Sequence, residues 1–400
     1  MPNPRIEQLF LVPGKTAAEV AQWGAAVAEF AAQFPGVYIS PDWAEASKDQ
    51  YERITLVNPD SWPEELWLAI KQNPRPIVVE QIIAPTPDVL AETLHTRTES
   101  NMRFGLESQF DWSPQWPYEV GLIGLHGRGD GEMQGADLDV VRRARLEGVK
   151  LTSHASGSSV KAIKAINPNM FILVRPIMSF DDGGRARNIS PEDFVRGTVN
   201  DMQRLFDADP TINYVEVHNE PNLTIEGLGG AWHNGREFAT WFDRVVQLYK
   251  ERWPFKKYGF PGLSPGALNN QRLIDYKQFL ADAALSAARA DWVAVHGYWA
   301  SELEMTDSNG GFTWRTVRQF FPDKLLIITE FGNPTESKPV VAEQYARYYG
   351  MLRRVPGLGG AFAYISSISD RRESARWAWR DEDGEDMGIA DVIGLRQYIQ

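Results

Sequence analysis

The sequence predicts an α/β protein: a (β/α)8 TIM barrel preceded by a small α/β domain. Three observations predict it. From about residue 118, short β-rich runs alternate eight times with helical patterns. Before about residue 112, a shorter series of strand-like and helical runs stands apart. The chain has 400 residues, room for a barrel of about 250 and a further domain of about 100. Regular alternation marks parallel strands joined by crossover helices. Eight such units close a barrel, whereas an open doubly wound sheet seldom needs eight. The expected domains are 1–112, a small α/β accessory domain, and 113–400, the barrel. The stretch DWSPQWPYEV from Asp111 reads as their junction.

In the barrel the first run is Val120–His126, followed by a helical stretch at Asp137–Leu146. The second is Val149–His154, with Ser158–Ile166 as its helix. The third is Met170–Ile177; Ser190 as N-cap and Pro191 in the first turn then open a helix to Phe206. The fourth is Ile212–Asn219 (INYVEVHN), then a helix at Arg236–Arg252. The fifth, Tyr258–Leu263, is weakened by Pro261, and its helix runs about Asp275–Ala288. The sixth is Trp292–Tyr298, then Trp314–Phe320. The seventh is Leu325–Phe331, then Val341–Arg353. The eighth is Gly360–Ile365, with a last helix near Asp391–Tyr398. The first domain has strand-like runs at Gln8–Val12, Val37–Ser40, Ile54–Val57 and Ile77–Ile82, and helical patterns at Ala17–Phe34 and Pro63–Gln72. Gly14-Lys15-Thr16 is similar to the end of a phosphate-binding loop. That motif needs a Gly five residues before Gly14, and position 9 is Leu.

Composition removes several function classes. The net charge is −12, and an acidic surface repels phosphate backbones and anionic lipid. Neither nucleic acid nor membrane is an expected partner. There is no cysteine, so disulfides, thiolate chemistry and Cys-ligated zinc are out. The apolar run Leu9–Val12 is shorter than the roughly 7–15 residues of a signal h-region. The cytoplasm is the expected compartment by default, or the exterior if a leader has been removed.

In barrel enzymes chemistry sits at the C-terminal ends of the strands. The fourth run ends His218-Asn219-Glu220-Pro221 and the seventh ends Thr329-Glu330-Phe331. Both glutamates stand where a hydrophobic strand stops, not on a solvated helix face. Side chains alternate along a strand. This puts Tyr214, Glu216, His218 and Glu220 toward the barrel axis, and Val215 and Val217 toward the helices. It puts Leu326, Ile328 and Glu330 on one face. Two carboxyl groups about 5–5.5 Å apart can flank one sugar ring and cleave its glycosidic bond with retention.

The Asn219-Glu220-Pro221 ending and Glu330 make the barrel segment resemble clan A glycoside hydrolases. The resemblance covers roughly residues 118–400 through motif and strand placement. It implies retaining hydrolysis of a β-glycosidic bond in a carbohydrate substrate, without a cofactor. It implies Glu220 as acid/base, Glu330 as nucleophile and Asn219 as partner of the sugar 2-hydroxyl. Tyr298, in His296-Gly297-Tyr298, matches the aromatic that hydrogen-bonds the nucleophile. Arg175 is the candidate for the arginine beside it. Members tend to have a Trp ending strand eight as a sugar platform. Here Tyr364-Ile365-Ser366 stands there, and Trp377 and Trp379 follow.

Other signals have competing readings. His126, His154, His218 and His296 fall at strand ends. They are expected to hydrogen-bond substrate hydroxyls; the rival reading is a metal-dependent barrel hydrolase. A third reading is a sugar-binding barrel that has lost turnover. With 14 Trp and 13 Tyr, the aromatic content fits both sugar stacking and barrel packing. Two or three of Phe180, Trp232, Trp299, Trp314, Trp377 and Trp379 are expected to line subsites, with polar contacts from Asp181 and Arg185. Arg128-Gly129-Asp130 is expected to be a turn beside the cleft. The acidic run Asp381–Asp386 reads as a solvated loop rather than a calcium site.

Overall fold

The computed structural model describes residues 8–48, 50–51, 53–71, 78–99, 116–118, 120–266, 273–321, 324–381, 383 and 385–397. The expected ends at Gln72, Ile77 and Tyr398 lie outside these residues, as do most of the junction from Asp111 and Glu382 and Gly384 of the acidic run. The chain divides into two compact units, Met1–Asp111 and Trp112–Gln400.

In the first unit four parallel strands, β1 (Gln8–Leu11), β2 (Val37–Ser40), β3 (Arg53–Val57) and β4 (Val78–Ile82), form a sheet in the order β2-β1-β3-β4. Alternation along β1 sends Leu9 and Leu11 into one core, with Ile54 and Leu66. Phe10 and Val12 enter another, with Phe30 and Leu90. Helix α1 (Ala17–Gln33) starts at Thr16, whose side chain accepts from the Glu19 N–H in a capping box. Helix α2 is Glu64–Lys71. The sequence pattern missed helix α3 (Pro87–Glu99). Its apolar stripe is thin: Leu90 and Leu94 are its fully buried anchors, in a segment otherwise rich in Thr and Glu.

In the second unit eight parallel strands close a barrel in sequence order. They are β5 (Leu122–His126), β6 (Gly148–Thr152), β7 (Phe171–Arg175), β8 (Tyr214–Glu216), β9 (Lys257–Phe260), β10 (Trp292–Tyr298), β11 (Leu326–Gly332) and β12 (Leu358–Ala363). Helices pack against this ring on one side and other side chains fill it, so the strands read as near-continuous apolar runs. The crossovers carry α4 (Gly135–Arg143), α5 (Gly157–Ile166), α6 (Pro191–Ala208), α7 (Gly235–Arg252), α8 (Tyr276–Arg289), α9 (Thr313–Phe320) and α10 (Lys338–Leu352). Two short helices follow β12: α11 (Arg371–Trp377) and α12 (Ile389–Leu395). Polar caps fix several helix starts: Ser156, Ser190 and Asn234 each accept from the N–H three residues on.

The barrel interior has two levels. The lower is apolar: Trp116, Leu122, Phe171, Leu173, Tyr214, Trp292, Ala294, Leu325, Ile327 and Phe362 form one cluster. Gly259 makes room for it, since a Cβ there would lie 2.3 Å from the Trp292 ring. The upper level is polar and opens at the C-terminal ends of the strands. Among the described residues no helix is long and apolar enough to cross a membrane.

Candidate active site

The floor of the site is an ionic cluster set directly on the apolar core. Lys150 of β6, Glu216 of β8, His296 of β10 and Thr329 of β11 are all fully buried. Lys150 Nζ pairs with Glu216 at 2.6 Å and with Glu330 Oε1 at 2.9 Å. The Thr329 hydroxyl donates to Glu216 Oε1 at 2.7 Å. His296 Nε2 lies 3.6 Å from the same oxygen. The fit around this ring is tight: a Cβ at Gly262 would stand 2.2 Å from His296.

Glu330 sits on this floor. Its Oε1 accepts from Lys150 and from Arg175 Nη1 at 2.6 Å, and its Oε2 accepts from the Tyr298 hydroxyl at 2.7 Å. Burial alone would raise its pKa. Lys150, then His296 and Arg175, outweigh burial and hold the carboxyl well below the ordinary range. Glu220 follows the end of β8 with φ at +34°, a left-handed conformation uncommon for a residue with a Cβ. Its N–H donates to the Gly262 carbonyl at 3.0 Å. His296 Nδ1 donates to Glu220 Oε1 at 2.9 Å and lies 3.8 Å from Glu330 Oε2. One nitrogen thus touches both carboxylates, so those oxygens are less than about 7 Å apart. Burial alone would lower the imidazole pKa. The Glu330 charge, with Glu216 and Glu220, raises it instead to about 9.

Asn219 is held at both ends of its amide. Arg175 donates to its oxygen, and its own N–H2 donates to Glu226 Oε1 at 2.7 Å. Glu226 lies in the loop after β8. Burial, reinforced by the Glu220 and Glu330 charges against Asn219 and Arg175, pushes it up to about 7. Glu226 therefore changes charge near neutral pH.

The alternation rule held only for part of each strand. In β8 it placed Tyr214 and Glu216 inside, as observed. His218 instead packs outward between Phe180, Trp232, Phe238 and Trp241, and its Nε2 meets the Glu226 carbonyl at 2.8 Å. Past Glu216 the chain leaves the regular ladder, so Asn219 and Glu220 both reach the mouth. In β11 the inward residues are Ile327 and Thr329, in phase with Leu325 just before the strand and opposite to the expected parity of Leu326 and Ile328. Glu330 still faces inward because the pairing with β10 skips one residue: Val295 pairs Ile328 and His296 pairs Glu330.

A cleft of 550 Å³ opens above these residues. Arg175, Asn219, Glu220, Tyr298, Trp299, Glu330 and Trp377 line it, together with Tyr364 and Glu226. Most of the singled-out positions are therefore brought together. His126 lies just beneath, fully buried, with Nε2 3.9 Å from Glu330 and Nδ1 3.1 Å from the Gly127 carbonyl. Burial, with the Lys150 and Arg175 charges, pushes it down to about 3, so it is neutral. His154 is exposed on the turn after β6 and does not line the cleft. The four strand-end histidines thus do not converge on one point. Phe180, Trp232, Trp314 and Trp379 are core residues, each at most 2% exposed. Asp181 and Arg185 form a small exposed hairpin and do not line the cleft. Arg128 pairs with Asp130 at 2.9 Å and donates to Ser369, so that turn is tied to the loop after β12.

Sequence reading missed Lys150 and Glu226. A lysine inside the apolar β6 run was the available signal, since a charge in a doubly covered strand needs a partner. Glu226 carries no such signal, being in a loop of ordinary composition. Trp377 arrives through α11: its ring meets Tyr298 and Tyr364 edge-on, at 5.2 and 5.8 Å between centroids. The loop carrying it is fastened by Asp137, which accepts from Ser366, Ser367 and twice from Arg380. Burial would raise the Asp137 pKa; Arg380 and the serines outweigh it and lower it. Its stabilisation is present above the ordinary carboxylate range and is lost as pH falls through the lowered pKa. Asp137→Ala leaves Arg380 buried without its carboxylate. The expected cost is about 3–5 kcal/mol of unfolding free energy, measured by urea denaturation at pH 7.

No protein-family model matches this chain, and no curated protein matches it in sequence. Several solved structures resemble part of it. The β-D-glucuronidase of Dictyoglomus thermophilum is 12% identical with a TM-score of 0.49, over 70% of this chain and 50% of that one. The β-galacturonidase from Eisenbergiella tayi is 11% identical with a TM-score of 0.48, over 70% of this chain and 51% of that one. The β-glycosidase BGL167 is 12% identical with a TM-score of 0.49, over 71% of this chain and 97% of that one. This chain thus spans about half the length of the first two.

Proposed function

We propose that this chain is a retaining O-glycosidase that cleaves a β-glycosidic bond in a carbohydrate. One observation carries the reading: Glu220 and Glu330, from β8 and β11, meet at a single imidazole nitrogen beneath an open cleft. That separation fits one carboxyl group on each side of an anomeric carbon.

In this reading Glu330 attacks the anomeric carbon as Glu220 gives its proton to the leaving oxygen. A glycosyl ester on Glu330 forms and the aglycone departs. Glu220 then takes a proton from water, whose oxygen displaces Glu330 and releases the sugar with its original configuration. Tyr298 orients Oε2 of the nucleophile, and Lys150 and Arg175 hold Oε1. The second N–H of Asn219 is left to meet the sugar 2-hydroxyl, since Arg175 and Glu226 fix the rest of its amide. Trp377 and Tyr364 together supply the aromatic wall. The segment 1–112 is assigned an accessory role.

The placement of the histidines weighs against the metal-hydrolase reading. Both His296 nitrogens face carboxylates and its raised pKa keeps it protonated, which leaves no lone pair for a metal. The sugar-binding reading has no observation in its favour, because both carboxylates are in place.

The test is stereochemical. With an activated aryl β-glycoside, proton NMR of the first-formed sugar is expected to show the β-anomer. First release of the α-anomer would mean a single displacement by water. No cleavage across a panel of aryl β-glycosides and β-glycans would remove the enzyme reading.

A further inference from the structure

We propose that Lys150 is a positioning residue, which keeps the Glu330 carboxylate ionised and aimed at the mouth of the barrel. The inference rests on the reading of Glu330 as nucleophile and assigns Lys150 a part in that same site. Lys150 never touches substrate: it is fully buried beneath Glu330.

Its surroundings fit such a task. Its ammonium bridges two carboxylates, Glu216 at 2.6 Å and Glu330 at 2.9 Å, and donates to the Thr329 carbonyl at 3.4 Å. Glu216 is in turn fixed by Thr329 and lies beside His296. Glu216 and Thr329 thus aim Lys150, and Lys150 aims Glu330. A buried ion pair is poor value for stability alone, since apolar side chains of like volume often replace it without loss. The cluster also sits against Trp292, Ala294 and Ile327, where an apolar layer could simply have continued upward. What the pair provides is a fixed positive charge under one oxygen of Glu330.

Chemistry gives that charge two uses. It favours the carboxylate over the protonated acid, so the nucleophile stays competent in acidic solution. It also favours the carboxylate as leaving group when water breaks the glycosyl ester, because negative charge returns to Glu330 in that step. Other groups also face Glu330: Arg175 from β7 and His296 from β10 add positive charge and Tyr298 from β10 donates a hydrogen bond, the Glu220 carboxylate from the loop after β8 opposes them, and neutral His126 from β5 and Tyr364 from the loop after β12 complete the surround. Lys150 is the cation at the base of this ring, out of reach of solvent.

The deciding experiment is a carboxyl carbon NMR titration of full-length protein labelled with 13C at glutamate carboxyls. The Glu330 signal is assigned by its loss in Glu330→Gln. The variants are Lys150→Met/Glu216→Gln, which removes both charges of the buried pair, Lys150→Gln as a second route if the first does not fold, and Glu216→Gln. In wild type the Glu330 signal is expected to stay that of a carboxylate down to the lowest pH at which the fold persists. In a folded variant lacking Lys150, its midpoint is expected to rise by about one pH unit or more. In Glu216→Gln it is not expected to rise. The acid limb of kcat/KM is expected to move with it. A folded Lys150 variant whose Glu330 titrates as in wild type would overturn the proposal, as would a rise in Glu216→Gln equal to that in the double variant. A wild type that cleaves no glycoside would sink the proposed function, while the titration would still decide the role of Lys150.

Discussion

Glu330→Gln is expected to lower kcat/KM on any β-glycoside by at least about 10⁴-fold, the scale at which loss of a nucleophile is usually felt. The amide keeps the shape of the carboxyl; its oxygen can still accept from Lys150 and Arg175 and its N–H2 can donate to the Tyr298 hydroxyl, so the fold is expected to persist. What is lost is the electron pair that forms the glycosyl ester. The variant distinguishes catalysis from binding: substrate affinity, read by calorimetry on the inactive protein, is expected to change much less than turnover. Glu330→Gly opens space where the carboxyl stood. Added azide is expected to enter it, restore part of the rate and give a glycosyl azide of inverted configuration. A retained product, or full turnover by Glu330→Gln, would move the nucleophile elsewhere.

The second large effect is expected at Glu220, and its size depends on the substrate. General acid–base catalysis contributes about 10²–10⁴-fold. Glu220→Gln is expected to lose this much on unactivated glycosides, whose leaving oxygen needs a proton. With a dinitrophenyl leaving group the first step needs no acid. The loss then falls on release of the ester, and a burst of phenol ahead of steady state is expected. Stopped-flow absorbance measures it. Equal losses on both substrate types, without a burst, would mean that Glu220 acts through His296 and not on the leaving oxygen. The 2.9 Å contact between His296 and Glu220 makes that alternative concrete.

Much of this architecture was legible before the fold was seen, and the failures have a common cause. Eight apolar runs located all eight barrel strands, because strands covered on both faces need unbroken hydrophobicity. Strand ends were less readable. β8 was expected to reach Asn219 and stops at Glu216, since the pairing that ends a strand is made by its neighbours. The residues at the mouth were found through polar groups closing apolar runs. Their directions were not, because a period of two fails wherever a bulge or a left-handed residue intervenes, as at Glu330 and Glu220. Aromatic residues were the least informative: Trp377 reaches the cleft, whereas Trp232, Trp314 and Trp379 are packing residues. Composition is alike in the two cases, and only the tertiary arrangement separates them.

The skipped residue opposite His296 has a consequence for how this protein tolerates change. Two consecutive side chains of one stave serve two storeys: Thr329 anchors the cellar and Glu330 works in the room above. Losing one residue in this stretch would restore a strict zigzag. The acidic group would still face inward, in the place of the residue lost, and Phe331 would stay against Tyr345 and Tyr348, but Glu216 would lose the hydroxyl that Thr329 gives it. The extra residue is therefore what lets this stave present two polar groups inward in succession, and its loss would take one away without turning the later side chains.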